Sequence, residues 1–339
     1  MRVHSSPTIP LARERLRTLQ EVPSMAKKEI RGVVAILTKY CPCDEDGVFD
    51  EKSFRGHIRW LLKKGVHVIA LNSGADFDYN DAERKRFGEI VVEEVNGKVP
   101  TIIGASAWDT PTAVKRAKEM EKLGADVVFV TGPPTTRPLG NNPQKDIVEH
   151  FRRISDVVSV PIAFYNTPGG WPGIMPPETL RKIEEAAPRV EYMKAGEREL
   201  TEYQRTVDGM VGSRIKIVAG KSYYNFHQLC YGWDKPNRPV GMSGYLTSVL
   251  PAEHVQMWEA FERNDIDKAR EIWYTKILPL AILVYGREFG YNEATHPNEV
   301  LKQIGLFKNA RIPFTLVGPD PYTKQEIGKF LKQTKLDIS

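Results

Sequence analysis

From residue 32 the chain alternates short, continuous apolar runs with amphipathic stretches, and this alternation narrows its fold more than any other feature. The runs lie at 32–37, 67–71, 101–104, 126–130, 161–165, 190–193, 216–219 and 239–242 and are rich in Val and Ile. Apolar runs of that length, without polar alternation, suit strands buried on both faces. Between them, 51–64, 81–95, 110–123, 144–158 and 177–187 carry apolar residues at helical spacing. The pattern repeats every ~24–35 residues, the length of one strand–helix unit. Eight such units in about 220 residues predict an α/β fold, a closed (β/α)8 TIM barrel, in preference to an open sheet. A doubly wound sheet would carry a glycine-rich first turn, and Thr38-Lys39-Tyr40-Cys41 contains no glycine.

After Pro251 the pattern is helical only, with candidate helices at 252–263, 265–287, 298–306 and near 324–335. The expected organisation is therefore a basic leader over 1–30, disordered or loosely attached, a catalytic barrel over 31–250, and a helical extension over 251–339 packed on the barrel. The net charge of +5 belongs mostly to the leader, where residues 1–31 hold seven Lys or Arg against three Glu. The body is close to neutral, which argues against nucleic acid as a partner. No apolar stretch approaches the ~18 residues of a membrane span. Cys41, Cys43 and Cys230 are too few and too unevenly placed for a disulfide framework or a zinc site, which suits a reducing, cytoplasmic setting. The leader lacks the apolar core of a secretory signal, and reads as a disordered extension or as sequence ahead of a start at Met25.

In a barrel of this type chemistry sits at the C-terminal ends of the strands. Lys194 follows the sixth run, Lys221 follows the seventh, and Tyr165 ends the fifth. An amine desolvated in a barrel mouth is freed to attack a carbonyl, and a neighbouring phenol can pass the proton. Ser73-Gly74, after the second run, offers a hydroxyl and backbone N–H groups to a carboxylate. Together these residues point to imine chemistry on a 2-oxo acid. The competing reading makes Lys194 a salt-bridged lysine and Tyr165 a packed core residue. Other signals fail on their own geometry. Gly220-Lys221-Ser222 lacks the earlier glycine of a phosphate loop, since position 215 is Ile215. The acidic run Asp76, Asp78, Asp81, Glu83 lacks the glycine and terminal carboxylate of a calcium loop, which leaves helix capping. The histidines show no metal-ligand spacing, and there is no Gly-x-Ser-x-Gly elbow. Gly169-Gly170-Trp171-Pro172-Gly173 is a tight aromatic loop, read equally as a substrate lid or a rigid turn.

From about residue 30 to 335 the chain resembles the dihydrodipicolinate synthase and N-acetylneuraminate lyase family of class I pyruvate aldolases. Tyr165-Asn166-x-Pro168 resembles that family's tyrosine motif, and Lys194, 29 residues later, stands where its Schiff-base lysine is expected. The stretch 305–313 is similar to its C-terminal helical signature. Leu71-Asn72-Ser73-Gly74-Ala75 occupies the place of its Gly-Thr-Thr-Gly-Glu carboxylate loop, with only a hydroxyl and one glycine kept. Two further departures stand out. The arginine that grips the second substrate in the synthases, five residues after the motif tyrosine, is here Gly170, and no tyrosine follows the fourth run, which continues as Gly132-Pro133-Pro134-Thr135-Thr136-Arg137.

The resemblance implies a lyase in which Lys194 forms an imine with pyruvate or a longer 2-oxo acid and Tyr165 shuttles the proton. Ser73 and Gly74, assisted by Asn72, would hold the carboxylate. Gly220 and Ser243 would line the floor of the site, Arg137 would supply a replacement cation, and Trp171 would cover the leaving portion. The reaction implied is aldol cleavage or condensation, or dehydration, with no cofactor, and the departures argue against the synthase reaction itself. The alternative is a catalytically weak 2-oxo-acid-binding protein or regulator on the same fold. The expected partners are a small 2-oxo acid and further copies of the chain, as a tetramer or dimer, with no nucleic acid and no membrane.

Overall fold

The computed structural model describes residues 28–37, 42–71, 77, 79–133, 143–167, 173–197, 199–285, 295–312 and 318–338. Eight parallel strands run in sequence order as β1 Gly32–Ile36, β2 Val68–Leu71, β3 Thr101–Gly104, β4 Val127–Val130, β5 Ile162–Asn166, β6 Val190–Ala195, β7 Lys216–Ala219 and β8 Gly241–Gly244. β8 pairs back onto β1, from Gly32 opposite Gly241 to Ala35 opposite Gly244, so the sheet closes as the expected barrel. Closure leaves no strand edge to solvent. Residues 1–27 of the expected leader, and the candidates Asn72, Ser73, Gly74, Arg137 and Trp171, lie outside the described residues.

Both strand faces are buried, which explains why the strands read as unbroken apolar runs. Val34, Ile36, Val68, Ala70, Ile102, Val127, Phe129, Ala163, Tyr192 and Val218 fill the barrel interior. Val33, Ile69, Ile103, Val128, Phe164, Met193 and Ile217 face the surrounding helices. Three of the early helices begin at side-chain caps. Asp50 accepts from the Ser53 N–H, Asp109 accepts from the Thr112 N–H, and Asn80 with Glu83 forms a capping box on the helix Asp81–Val95. The part of the acidic run that is described thus caps and braces a helix, with Asp81 paired to Arg84 and Arg116. Residues 28–30, the end of the expected leader, are docked against the barrel: Ile30 is buried in the interior cluster and Glu29 pairs with Lys216 at 2.5 Å.

The helices Leu200–Gly209 and Asn225–Gly232 were not apparent in the sequence. The second buries two amides, Asn225 and Gln228, beside Phe226 and Leu229, which blurs its apolar stripe. The stretch 265–287 is not one helix: Ile266–Ile272 and Leu278–Tyr285 are joined by a π turn at Trp273–Ile277. Pro279 explains the break, because it has no N–H for the Thr275 carbonyl four residues back and its ring would collide with it. The extension ends with Thr295–Gln303 and Pro321–Gln333.

Candidate active site

A one-residue irregularity aims the central lysine. β5 and β6 pair Ile162 with Val190 and then Ala163 with Tyr192, which leaves Glu191 as the extra residue of a β-bulge. Val190 faces the helices, whereas Tyr192 faces the barrel interior. Strict alternation from Val190 would have turned Lys194 outward; the bulge turns it inward, in register with Tyr165. The Lys194 Nζ lies 4.2 Å from the centroid of the Tyr165 ring, and Lys194 is only 8% exposed. A cation over an aromatic face at this range is attracted by about 0.5–2 kcal/mol.

Two glycines make room for this pair. A Cβ on Gly196 would stand 2.1 Å from Cε2 of Tyr165, and a Cβ on Gly220 would stand 2.5 Å from Cγ of Lys194 and 2.7 Å from the Ala195 carbonyl oxygen. Gly220, expected on the floor of the site, is thus excluded from carrying a side chain by the lysine itself.

A cavity at the C-terminal mouth is lined by Tyr165, Lys194, Gly220, Lys221, Ser222, Tyr223, Gly244, Tyr245 and Tyr285. Of the described candidates, Lys194, Tyr165 and Gly220 therefore meet in one place. Ser243 does not line it: this residue pairs with Val34 inside the barrel, and its Oγ has no hydrogen-bond partner among the described residues. Its neighbours Gly244 and Tyr245 line the cavity instead. Lys221 is 7% exposed, with Nζ 5.0 Å from the Tyr223 ring. The aromatic walls were missed in the sequence. Tyr223 lies four residues past the end of β7 and was within reach of the strand-end rule, but Tyr285 comes from the extension, 5.4 Å from Tyr223 between ring centroids.

Buried amides and a buried carboxyl hold the strand ends in place. Gln228 donates to the Ala195 carbonyl at 3.1 Å and accepts from the Lys221 N–H at 3.1 Å, so one side chain ties the ends of β6 and β7 together. Asn225 donates to the Ala219 carbonyl at 3.1 Å. Asn166 of the tyrosine motif accepts from the Met175 N–H at 2.7 Å and donates to Glu197 at 3.2 Å, a structural latch beside Tyr165. Thr206 donates to the same Glu197 oxygen at 2.9 Å, while the other oxygen has no partner among the described residues. Burial pushes the Glu197 carboxyl up to about 7, against the opposing pull of those hydrogen bonds. Thr247 closes the last seam by donating to the Val34 carbonyl on β1 at 2.8 Å.

Among the described residues no group of three or more His, Cys, Asp or Glu is placed to hold a metal ion, and no helix is long and apolar enough to cross a membrane. What the cavity offers is a lysine amine, a phenol beside it, and a second lysine whose Nζ lies over an aromatic ring.

The sequence model of the dihydrodipicolinate synthetase family matches residues 29–334. The 4-hydroxy-tetrahydrodipicolinate synthase of Methanopyrus kandleri is 32% identical over 254 residues, covering 74% of this chain and 80% of that protein. The enzyme of the same name from Thermotoga petrophila is 27% identical over 315 residues, covering 90% and 99%. Among solved structures, the dihydrodipicolinate synthase of Thermotoga maritima superposes with a TM-score of 0.78 at 25% identity, covering 90% of this chain and 98% of that one.

Proposed function

The chain belongs to the dihydrodipicolinate synthetase family of lyases, and from that premise we propose that it forms a Schiff base between Lys194 and pyruvate or a longer 2-oxo acid. The observation that carries the reading is the in-register pairing of Lys194 with Tyr165 at the barrel mouth, with Nζ 4.2 Å from the ring centroid. The Lys194 amine attacks C2 of the 2-oxo acid, and the carbinolamine loses water to give a protonated imine. That imine withdraws electrons from the C3–H or C3–C4 bond, so proton loss or carbon–carbon cleavage yields the enamine. Tyr165 carries the proton between the carbinolamine oxygen and the departing group. Ser73, Gly74 and Asn72 orient the carboxylate, Arg137 and Trp171 contact the distal part of the substrate, and Gly220 keeps the lysine's path clear.

The reaction is aldol cleavage or condensation, or dehydration, and not the synthase reaction of the relatives. Gly170 in place of the arginine clamp, and the absence of a tyrosine between Gly132 and Arg137, support that distinction. Residues 31–250 and 251–339 act as one catalytic body, since Tyr285 lines the same cavity as Lys194. The protein works in the cytoplasm as a homo-oligomer. Reduction with borohydride in the presence of pyruvate, followed by peptide mass spectrometry, is expected to place the adduct on Lys194. Absence of an adduct there overturns the proposal and leaves a 2-oxo-acid-binding protein on a catalytic scaffold, the reading that the altered carboxylate loop favours.

A further inference from the structure

We infer that the cavity beside Lys194 is the seat of a single water molecule, held by the Ser222 hydroxyl, that departs when the imine forms and returns when it hydrolyses. The inference rests on the Schiff-base reading above and adds how that intermediate is made and released. The cavity has a volume of about 20 Å³, and about 10–15 Å³ accommodates one water. Pyruvate itself does not fit in that space, so the carbon chain of the substrate lies outside it and C2 meets it at Lys194. Two glycines keep the cavity open. Gly220 leaves room for the Lys194 chain, and Gly244, at the end of β8, does the same for Ser222: a Cβ on Gly244 would stand 1.9 Å from the Ser222 Oγ.

The hydroxyl is kept for a guest. Ser222 is 6% exposed, and among the described residues its Oγ has no hydrogen-bond partner. A buried hydroxyl without a partner is destabilising, and it can both donate to and accept from a water. Lys194 and Tyr165 share the same walls, which supplies the further polar neighbours that a buried water requires. The step balances without any other reagent. As the carbinolamine collapses, its C2–O bond breaks, the nitrogen lone pair becomes the C=N bond, and the oxygen takes a proton from Tyr165 and leaves as water. Ser222 receives that water. On release of the 2-oxo acid the same water attacks C2, the π pair returns to nitrogen, and the surplus proton goes back to Tyr165. A water fixed beside C2 spares the reaction from drawing one out of bulk solvent past the bound substrate.

Timed borohydride quenching of the full chain tests this. Mixing with pyruvate and quenching at intervals gives the rate of imine formation. Diluting loaded protein into pyruvate-free buffer and quenching at intervals gives the rate of hydrolysis. Ser222→Ala is expected to slow both by about tenfold or more. The pyruvate concentration for half-maximal trapping at equilibrium should stay unchanged, because a group that handles only the water acts on the barrier and not on the end states. Gly244→Ala keeps the hydroxyl but displaces it, and should slow both rates in the same way. Rates within about twofold of wild type in Ser222→Ala, or in folded Gly244→Ala, overturn the inference while adducts on Lys194 keep the Schiff-base reading intact. A raised half-saturation concentration in Ser222→Ala overturns it as well, since Ser222 would then hold the substrate and not the water. If no adduct forms on Lys194, the Schiff-base reading falls and carries this inference with it.

Discussion

Replacing Gly196 by Ala puts the proposed proton carrier to a direct test without touching either reacting side chain. The new Cβ would lie 2.1 Å from Cε2 of Tyr165 and 2.6 Å from its Cζ and hydroxyl oxygen, whereas ordinary van der Waals contact begins at 3.4 Å. The ring must therefore withdraw by about 1.3 Å, and it cannot swing freely because the Lys194 ammonium sits over its face. Overpacking of this kind costs about 1–3 kcal/mol of stability, and a misplacement of about 1 Å at a reacting group costs ~100-fold in rate. The assay is exchange of the pyruvate methyl protons in heavy water, followed by NMR, which reports enamine formation without any second substrate. Gly196→Ala is expected to exchange about 100-fold more slowly while borohydride still traps pyruvate on Lys194. Tyr165→Phe should lose a similar amount, and the double variant should lose little more than either alone, since both act on one group. Exchange within about twofold of wild type in Gly196→Ala, with the protein folded, would refute the role given to Tyr165.

Two other outcomes follow from the groups behind the site. Glu197 is raised from 4.5 to about 7, so the folded chain holds a proton that the unfolded chain has released, and this group lowers stability as pH rises across that window. Glu197→Gln should therefore gain stability relative to wild type between about pH 4.5 and 7, by up to about 3 kcal/mol, and the difference should stay flat above that. His57, His150 and His254, each lowered from 6.5 to about 4 by burial, work in the opposite sense in both proteins and cancel from the comparison. Denaturant titrations at several pH values check this, and a difference independent of pH sinks it. Gln228→Leu leaves the Ala195 carbonyl and the Lys221 N–H without their partner, at about 1–3 kcal/mol for each buried orphan. Chemical denaturation should show a loss of several kcal/mol, and a loss under 1 kcal/mol would mean that water replaces the amide.

Much of the barrel was legible because burial on both faces erases polar alternation, so each strand stands out as an apolar run between amphipathic helices. Tyr165 and Lys194 were legible for the same reason: a polar side chain at the end of such a run has few places to go except the mouth. The bulge at Glu191 was not, since nothing local distinguishes an extra residue in a strand from its neighbours, yet it decides which way Lys194 points. Ser243 sits deeper than the rim through strand length. β8 begins at Gly241 and continues to Gly244, two residues past the apolar run, which keeps Ser243 within the barrel and gives the rim to Gly244 and Tyr245. Asn225 and Gln228 were hidden because amides among the buried positions of so short a helix blur its apolar stripe. Tyr285 lies 91 positions along the chain from Lys194, and their place in one cavity is set by how the extension packs, for which short-range periodicity carries no information.

Because Tyr285 comes from the extension while Lys194 comes from the barrel, the proposed reacting group and one wall of its cavity are written in separate parts of the gene. Drift in the extension can reshape the cavity without disturbing a single strand pairing, and the pairing of Lys194 with Tyr165 can persist unchanged beneath it. A chimera that joined this barrel to a relative's extension would keep the proposed reacting lysine from one parent and take that wall of its cavity from the other. Relatives that share the lysine and tyrosine can on this account diverge in what they accept well before they diverge in what they do.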